Sequence, residues 1–196
     1  MLEVILVRHG ETDSNVEGRY LGLTDVSLNE NGINQALGLK DKLKDIRIDY
    51  VYSSPLKRCR ETAGIINEAH NSAVLYSDDL KERNFGLFEN LTYEEICNKY
   101  PVQKDLWEND WVNYRIEYGE SALEFHKRIC SFTDGILRQK HMGVMLVVAH
   151  SGCIRSIIAK FLGLGVQAAW SFKIDYCGVT RFEIRDNYPV MTLLNG

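Results

Sequence analysis

The sequence has few cysteines, and their arrangement points to neither a disulfide framework nor a metal site. Its five cysteines include no Cys-x-x-Cys pair and no spacing with histidine that is typical of metal ligands. Several occupy apolar positions of helical patterns, where a thiol acts as a small hydrophobic group. We therefore expect reduced thiols without catalytic roles, and no metal or other cofactor. The five positions are Cys59, Cys97, Cys130, Cys153 and Cys177.

Long apolar runs and an excess of basic residues are also lacking. No stretch reaches the roughly 18 apolar residues that a membrane-spanning helix needs. The first apolar run contains Glu3 and ends at Arg8, so it predicts a buried strand rather than a signal peptide. The net charge of -4 argues against a surface that wraps nucleic acid or lies on anionic lipid. We expect a cytoplasmic protein with no nucleic-acid or membrane partner, in which any bound anion meets a local basic pocket.

Linkers and repeats are missing as well. Only three prolines occur in 196 residues, and no low-complexity segment or internal repeat divides the chain. A chain of this length suits one compact domain. We therefore predict a single domain over residues 1–196.

Hydrophobic patterns predict strands that alternate with helices. The continuous apolar run at 144–149 is typical of a strand that is covered on both faces. Alternation of this kind implies right-handed crossovers, and hence a three-layer αβα fold of the α/β class with a mostly parallel central sheet. The predicted strands are 3–7, 49–52, 144–149, 179–184 and 190–194, and residues 78–118 are predicted as loop followed by helix.

Capping signals place the predicted helices. Ser27-x-x-Glu30 is a candidate capping box for a helix that runs to about Leu43. Pro55 suits the first turn of a helix that runs to about Ala69. Further helices are predicted over 120–139 and over 151–161, the latter closed by Gly163.

Polar residues follow three of the predicted strands directly. They are residues 8–10 (Arg-His-Gly), residues 53–54 with Arg58 soon after, and residues 150–152 (His-Ser-Gly). In open α/β sheets the ligand site lies beyond the carboxyl ends of the strands, so these groups should meet at one edge. Arginine offers a planar fork of donors for phosphate, and imidazole can act as a nucleophile. Gly10 and Gly152 allow the backbone to approach an anion closely.

Each of these residues also has a simpler interpretation. A single histidine is more often a surface or core residue than a catalyst, and Arg58 could be a solvated helix residue beside Lys57 and Arg60. Two histidines that each end a predicted strand and precede Gly or Ser-Gly make coincidence the weaker interpretation. The residues alone therefore favour a phosphate site.

At this point the sequence resembles the histidine phosphatase superfamily, also called phosphoglycerate mutase-like. The matching elements occur in the family's order and cover nearly the whole chain. They are Leu6-Val7-Arg8-His9-Gly10-Glu11-Thr12 with Asn15, Leu28-x-x-x-Gly32-x-x-Gln35-Ala36, Ser53-Ser54-Pro55-Leu56-x-Arg58-x-x-x-Thr62-Ala63, Leu80-x-Glu82 with Phe85-Gly86, Gly119-Glu120-Ser121, and Val147-Val148-Ala149-His150-Ser151-Gly152.

The resemblance implies a role for each matching residue. His9 would attack phosphorus and form a phosphohistidine, and Glu82 would protonate the leaving group and then activate water. Spacing alone leaves open that Glu82 is a solvated loop charge between Lys81 and Arg83. The remaining residues that the resemblance places around the substrate are Arg8, Asn15, Gly22, Arg58, His150 and Ser151.

The resemblance also narrows the reaction. Mutases of the superfamily are usually longer and enclose the phosphoenzyme, so a 196-residue chain favours hydrolysis. It further implies a helical lid insertion at about 88–118. The sequence departs from the usual pattern of the family at two positions. Ser151 stands where many members have Gly, next to the phosphate, and Asn90 stands where Gly is common, at the rim of the substrate site.

Within the superfamily, further segments resemble the alpha-ribazole phosphatases. They are Tyr20-x-Gly22, Trp107-x-x-Asp110-Trp111 and Trp170-x-Phe172-x-Ile174-Asp175. This implies a small phosphorylated metabolite as substrate, with alpha-ribazole 5'-phosphate as the first candidate and a sugar phosphate or phosphoglycerate as the alternative. Trp107 and Trp111 either stack on a flat base or form the core of the insertion. Two further possibilities stay open: that the protein binds its ligand without catalysis, and that it forms a homodimer.

Overall fold

The computed structural model describes residues 1–139 and 142–196. Its strands are β1 (Leu2–Arg8), β2 (Tyr50–Ser53), β3 (Val74–Tyr76), β4 (Gly143–Ala149), β5 (Val179–Arg185) and β6 (Tyr188–Leu193). Its α-helices are α1 (Asp13–Val16), α2 (Glu30–Leu43), α3 (Lys57–Asn67), α4 (Tyr93–Lys99), α5 (Pro101–Asn109), α6 (Ala122–Arg138) and α7 (Ser151–Phe161). None of these helices is both long enough and apolar enough to cross a membrane.

The six strands form one mixed sheet in the order β3-β2-β4-β1-β5-β6. The first four strands are parallel, whereas β5 runs antiparallel to both β1 and β6. Arg8 pairs in register with Ala149, and Ser53 pairs with Val148. The ends of β1, β2 and β4 therefore meet at the same edge of the sheet, as the parallel strand order requires.

Two hydrophobic clusters cover the two faces of the sheet. On one face, α6 and α7 pack through buried residues such as Ile129 and Ile157. On the other face, α2 and α3 pack through Leu39 and Ala63. The middle of β1 is fully buried because its side chains alternate between the two clusters. The prediction of an α/β fold with a mostly parallel sheet is therefore confirmed.

Two local predictions were wrong, and one strand was not predicted. Helix α2 begins at Glu30 after an Asn29 cap, whereas Ser27 is exposed and caps nothing. Helix α3 begins at Lys57, so Pro55 lies before its first turn; Asp25 accepts a hydrogen bond from the Lys57 amide at 2.6 Å. Strand β3 was missed because three partly exposed residues show no alternation. The closing glycine of α7, Gly163, is confirmed, with a positive φ of 68°.

The Asn29 cap gives a stability prediction. The Asn29 side chain accepts a hydrogen bond from the amide of Gly32 at 2.8 Å and donates one to Glu11. Asn29→Ala should lower the free energy of unfolding by about 1 kcal/mol, because an orphan amide of the first helical turn loses its acceptor. Ser27→Ala is the matched control and should change it by less than about 0.5 kcal/mol. Urea unfolding measures the free energy of unfolding of both variants. Equal decreases in the two variants would contradict Asn29 as the cap and favour Ser27.

The segment between β3 and α6 builds a small core of its own. Phe88, Ile96 and Ile116 are fully buried there. Trp107, on α5, packs against them and meets Phe88 edge-on, with the ring centroids 5.7 Å apart. The single domain and the lid over residues 88–118 remain predictions.

Candidate active site

The two histidines that follow β1 and β4 lie side by side. The His9 amide donates a hydrogen bond to the carbonyl of Ala149 at 3.0 Å, which ties the end of β1 to β4. The rings of His9 and His150 meet edge-on with their centroids 5.2 Å apart. His9 lines a cavity of about 350 Å³ above this edge. The predicted convergence of two histidines on one sheet edge is thus what the backbone produces.

His9 is held in one tautomer. Its Nδ1 lies 2.7 Å from the carbonyl oxygen of Gly10, which can only accept, so Nδ1 carries the proton and Nε2 keeps its lone pair. Burial lowers the pKa of His9 well below its ordinary value of 6.5, and the charges of Arg58 and Arg8 lower it further. The imidazole is therefore neutral at neutral pH, with Nε2 available as a nucleophile.

Arg8 has a donor without a protein partner. Its Nη1 donates to the carbonyl of Ile174 at 2.7 Å, and its guanidinium lies 3.7 Å from the centre of the Tyr176 ring. Its Nε is buried and has no hydrogen-bond partner in the described part of the chain. Because buried donors are rarely left unsatisfied, this N-H beside His9 is suited to an anionic ligand.

Arg58 and His150 are fully buried and do not line the cavity. Arg58 Nε donates to His150 Nδ1 at 3.3 Å, so His150 Nε2 carries the proton and donates to Ser54 Oγ at 2.9 Å. Burial, followed by the charge of Arg58, lowers the pKa of His150 well below 6.5. Arg58 also donates to the carbonyls of Gly22 and Thr24. That Arg58 and His150 contact the phosphoryl group remains a prediction.

Glu82 reaches the same cavity from the far side. It is 9% exposed, so it is not a solvated loop charge. One carboxylate oxygen accepts a hydrogen bond from the Arg83 amide at 2.9 Å, and the other accepts one from the Gly152 amide at 3.0 Å. A Cβ at position 152 would meet the end of the Glu82 side chain, so a larger residue there would have to displace the carboxylate. Glu82 is therefore fixed next to the start of α7.

Only some of the other predicted substrate residues line the cavity. Asn15 lines the cavity, and its Oδ1 accepts from the Thr12 amide within the α1 capping box, which leaves Nδ2 as the group for a ligand. Ser151, the first residue of α7, also lines the cavity. Gly22 does not; it is buried where a Cβ would lie 2.1 Å from the Arg83 carbonyl.

Sequence reasoning missed further cavity residues. Arg83 and Arg155 line the cavity without an ion-pair partner among the described residues. The signal for Arg155 was its position four residues after Ser151, one turn along α7. Arg19 lines it too, paired with Glu17 and Glu95. The cavity is locally basic although the chain is acidic.

The two tryptophans of the insertion differ in position. Trp107 belongs to the insertion core, although one side of it reaches the cavity. Trp111 is not part of that core; it lines the cavity and meets Trp170 edge-on, with ring centroids 6.1 Å apart. Of the two, Trp111 is therefore the one suited to contact a substrate.

The lowered histidine pKa values predict how activity changes as the pH falls below neutral. A group with a folded-state pKa below 6.5 stays neutral until the pH falls to that lowered value. Activity should therefore hold as the pH falls through 6.5, and be lost only below it. Because the unfolded chain binds these protons first, the free energy of unfolding should also fall below pH 6.5. A kcat/KM profile that declines with a midpoint at or above 6.5 would contradict this environment for His9.

This chain is similar to known proteins over nearly its whole length. Residues 4–196 match the family model of the histidine phosphatase superfamily, branch 1. The chain is 32% identical to phosphoserine phosphatase 1 of Hydrogenobacter thermophilus over 195 residues, covering 100% of this chain and 92% of that one. It is 29% identical to the adenosylcobalamin/alpha-ribazole phosphatase of Escherichia coli over 190 residues, covering 97% and 94%.

A solved structure shows the same fold. The alpha-ribazole phosphatase of Shigella flexneri superposes with a TM-score of 0.94 at 29% identity, covering 99% of this chain and 96% of that one. The resemblance read from the sequence motifs is thereby confirmed, as is the phosphoglycerate mutase-like fold. This chain belongs to the histidine phosphatase superfamily.

Proposed function

We propose that this phosphatase is a metal-independent phosphomonoesterase that works through a phosphohistidine at His9. The observation that carries the proposal is the Gly10 carbonyl, which holds the proton on Nδ1 and leaves Nε2 free. The unpartnered Nε of Arg8 supplies positive charge beside it without a metal. Glu82, on the same cavity, supplies a group that can exchange protons.

The reaction has two steps. His9 Nε2 attacks phosphorus, the bond from phosphorus to the ester oxygen breaks, and protonated Glu82 gives its proton to the leaving alkoxide. Water then attacks the phosphohistidine, Glu82 takes its proton, and inorganic phosphate leaves as His9 is regenerated. Arg8, with Arg58 and His150 as further candidates, stabilises the charge on the phosphoryl oxygens.

Alpha-ribazole 5'-phosphate, in assembly of the cobalamin nucleotide loop, is the first substrate candidate. Tyr20, Trp111 and Trp170 line the cavity and give it an aromatic rim that suits a flat base. The relatives from Escherichia coli and Shigella flexneri carry that activity in their names. Trp111 is the residue expected to contact the base.

Phosphoserine is the second candidate, together with related small phosphorylated acids and sugars such as phosphoglycerate. Arg83 and Arg155 line the cavity without carboxylate partners in the described chain, which favours a leaving group that carries a negative charge. The relative from Hydrogenobacter thermophilus is named for this substrate. Mutase transfer between phosphoglycerates is the least supported alternative.

Phosphate release with EDTA present tests the proposal. The substrates are alpha-ribazole 5'-phosphate, phosphoserine, 3-phosphoglycerate and phenyl phosphate, and the enzymes are the wild type and Trp111→Ala. Release should persist in EDTA, and Trp111→Ala should lower kcat/KM for alpha-ribazole 5'-phosphate about 5-fold more than for phenyl phosphate, since one aromatic contact contributes about 1 kcal/mol. No release without metal would defeat metal independence, and equal losses would make Trp111 a structural residue.

A further inference from the structure

Arg83 is a buried cation that lacks a complete set of partners. It is 5% exposed, its Nε donates to the Glu120 carbonyl at 2.9 Å, and its guanidinium lies over the Phe85 ring. Its Nη2 is buried and has no hydrogen-bond partner in residues 1–139 or 142–196. Burial lowers the pKa of Arg83 to about 10, which still leaves it charged at neutral pH.

Trp107 has an unpartnered donor at the same place. Its indole packs edge-on against Tyr20 and Phe88, with centroids 5.6 and 5.7 Å apart. Its Nε1 is buried, and its N-H has no hydrogen-bond acceptor within the described chain. Packing thus explains the ring but not the orientation of its only polar group.

The two residues contribute to two neighbouring spaces. Arg83 and Trp107 both line the catalytic cavity, and both line an adjoining groove of about 500 Å³. The groove is otherwise lined by residues that include Tyr93, Glu108 and Gln167. A leaving group that extended from the cavity into the groove would therefore lie beside both residues.

The position of Arg83 assigns it to the leaving group rather than to the phosphoryl group. The cations that depress the His9 pKa are Arg58 and Arg8. Arg83 instead adjoins Glu82, with its own amide bonded to the Glu82 carboxylate. Since Glu82 faces the ester oxygen in the proposed reaction, Arg83 lies on the side to which the alcohol departs.

Buried donors without acceptors are costly in a folded protein, and they discriminate strongly when a ligand supplies the acceptor. We propose that Arg83 Nη2 and Trp107 Nε1 bind an acceptor oxygen of the leaving alcohol, and so select phosphomonoesters whose alcohol carries a second polar group. A ribosyl hydroxyl and a carboxylate both meet this requirement. The inference rests on the proposed phosphomonoesterase function.

The test compares substrates with and without such an acceptor. Arg83→Met should lower kcat/KM for alpha-ribazole 5'-phosphate or phosphoserine by about 10- to 100-fold, the effect of losing a hydrogen bond to a charged donor. Phenyl phosphate has no second acceptor and should be hydrolysed at nearly the wild-type rate. Arg60→Met is the matched control, because Arg60 is an exposed arginine outside both spaces and should change neither ratio.

Two more variants protect the test against misfolding. Arg83→Lys keeps the charge, and Trp107→Phe keeps an aromatic ring in the insertion core while removing the N-H. Both variants should lower kcat/KM more for the substrates with a second acceptor than for phenyl phosphate. For Trp107→Phe the difference should be about 10-fold or less, because the lost donor is neutral. The more affected substrate identifies the acceptor: phosphoserine for a carboxylate, alpha-ribazole 5'-phosphate for a hydroxyl.

The outcomes separate this inference from the function on which it rests. A proportional loss on all substrates, phenyl phosphate included, in every variant that retains the wild-type melting temperature would overturn the selective role of Arg83 and Trp107. Wild-type enzyme that releases no phosphate from any of the three would instead remove the proposed function, and the inference with it. Selective loss confined to the polar substrates would support both.

Discussion

His9→Ala is expected to reduce phosphate release by at least about 10⁴-fold, because it removes the Nε2 atom on which the proposed covalent intermediate forms. The imidazole is neutral, buried and fixed by Gly10, and each of these properties keeps the Nε2 lone pair available for attack on phosphorus. The measurement is kcat with phenyl phosphate and with alpha-ribazole 5'-phosphate. Both should fall by a similar factor, since the nucleophile is common to all substrates.

A matched variant and a direct readout distinguish chemistry from folding. His70→Ala removes an imidazole that lies just beyond α3 and outside the cavity, and it should leave kcat unchanged. Quenching the wild type during turnover should trap one acid-labile phosphoryl group on His9, seen by mass spectrometry. A His9→Ala protein that kept more than about a tenth of the wild-type rate would make His9 a binding residue and return the choice of nucleophile to the other cavity groups.

The histidines could be predicted from the sequence because their signal is local. Each follows an apolar run that forms a central strand, and parallel neighbours in register bring their carboxyl ends together. Arg8 was predicted from its place at the end of β1 and lines the cavity; Asn15 and Ser151, which the family resemblance implied, line it too.

Residues fixed by distant contacts could not be predicted in this way. Arg83 is buried because the Glu120 carbonyl, 37 residues further on, accepts its Nε hydrogen bond. Strand β3 exists because it pairs with β2, and its own three residues show no period. Asn29 rather than Ser27 caps α2, because Leu28 is buried and its amide donates a hydrogen bond to Glu61. In each case a tertiary contact decided between local alternatives.

Two carbonyl contacts show how the fold couples loops to the site. Arg58 ties the carbonyls of Gly22 and Thr24, which lie in the segment after α1, to His150 at the end of β4. The same segment is held from the other side by Glu89, whose carboxylate accepts from the amides of Gly22 and Thr24. Arg58 therefore holds the segment after α1 in place relative to His150.

Glu82→Gln is expected to lower kcat for alkyl phosphates by about 10²- to 10⁴-fold, the usual contribution of a general acid or base. Esters with acidic leaving groups need less protonation, so the first step with 4-nitrophenyl phosphate should be slowed far less than with phosphoserine. The second step still needs a base for water. The variant should therefore release one equivalent of 4-nitrophenolate per active site in a burst, followed by slow turnover.

The burst is what separates a proton-transfer role from a structural one. Glutamine keeps one acceptor oxygen for the two amides that Glu82 now binds, those of Arg83 and Gly152, so some loss of packing is expected. Disturbed packing would slow both steps and every ester alike, giving no burst and no dependence on the leaving group. Rapid phosphorylation with slow hydrolysis shows that the missing carboxylate serves as the base of the second step, and a slower first step with phosphoserine shows that it serves as the acid of the first. Stopped-flow absorbance with a titrated active-site concentration decides between the two.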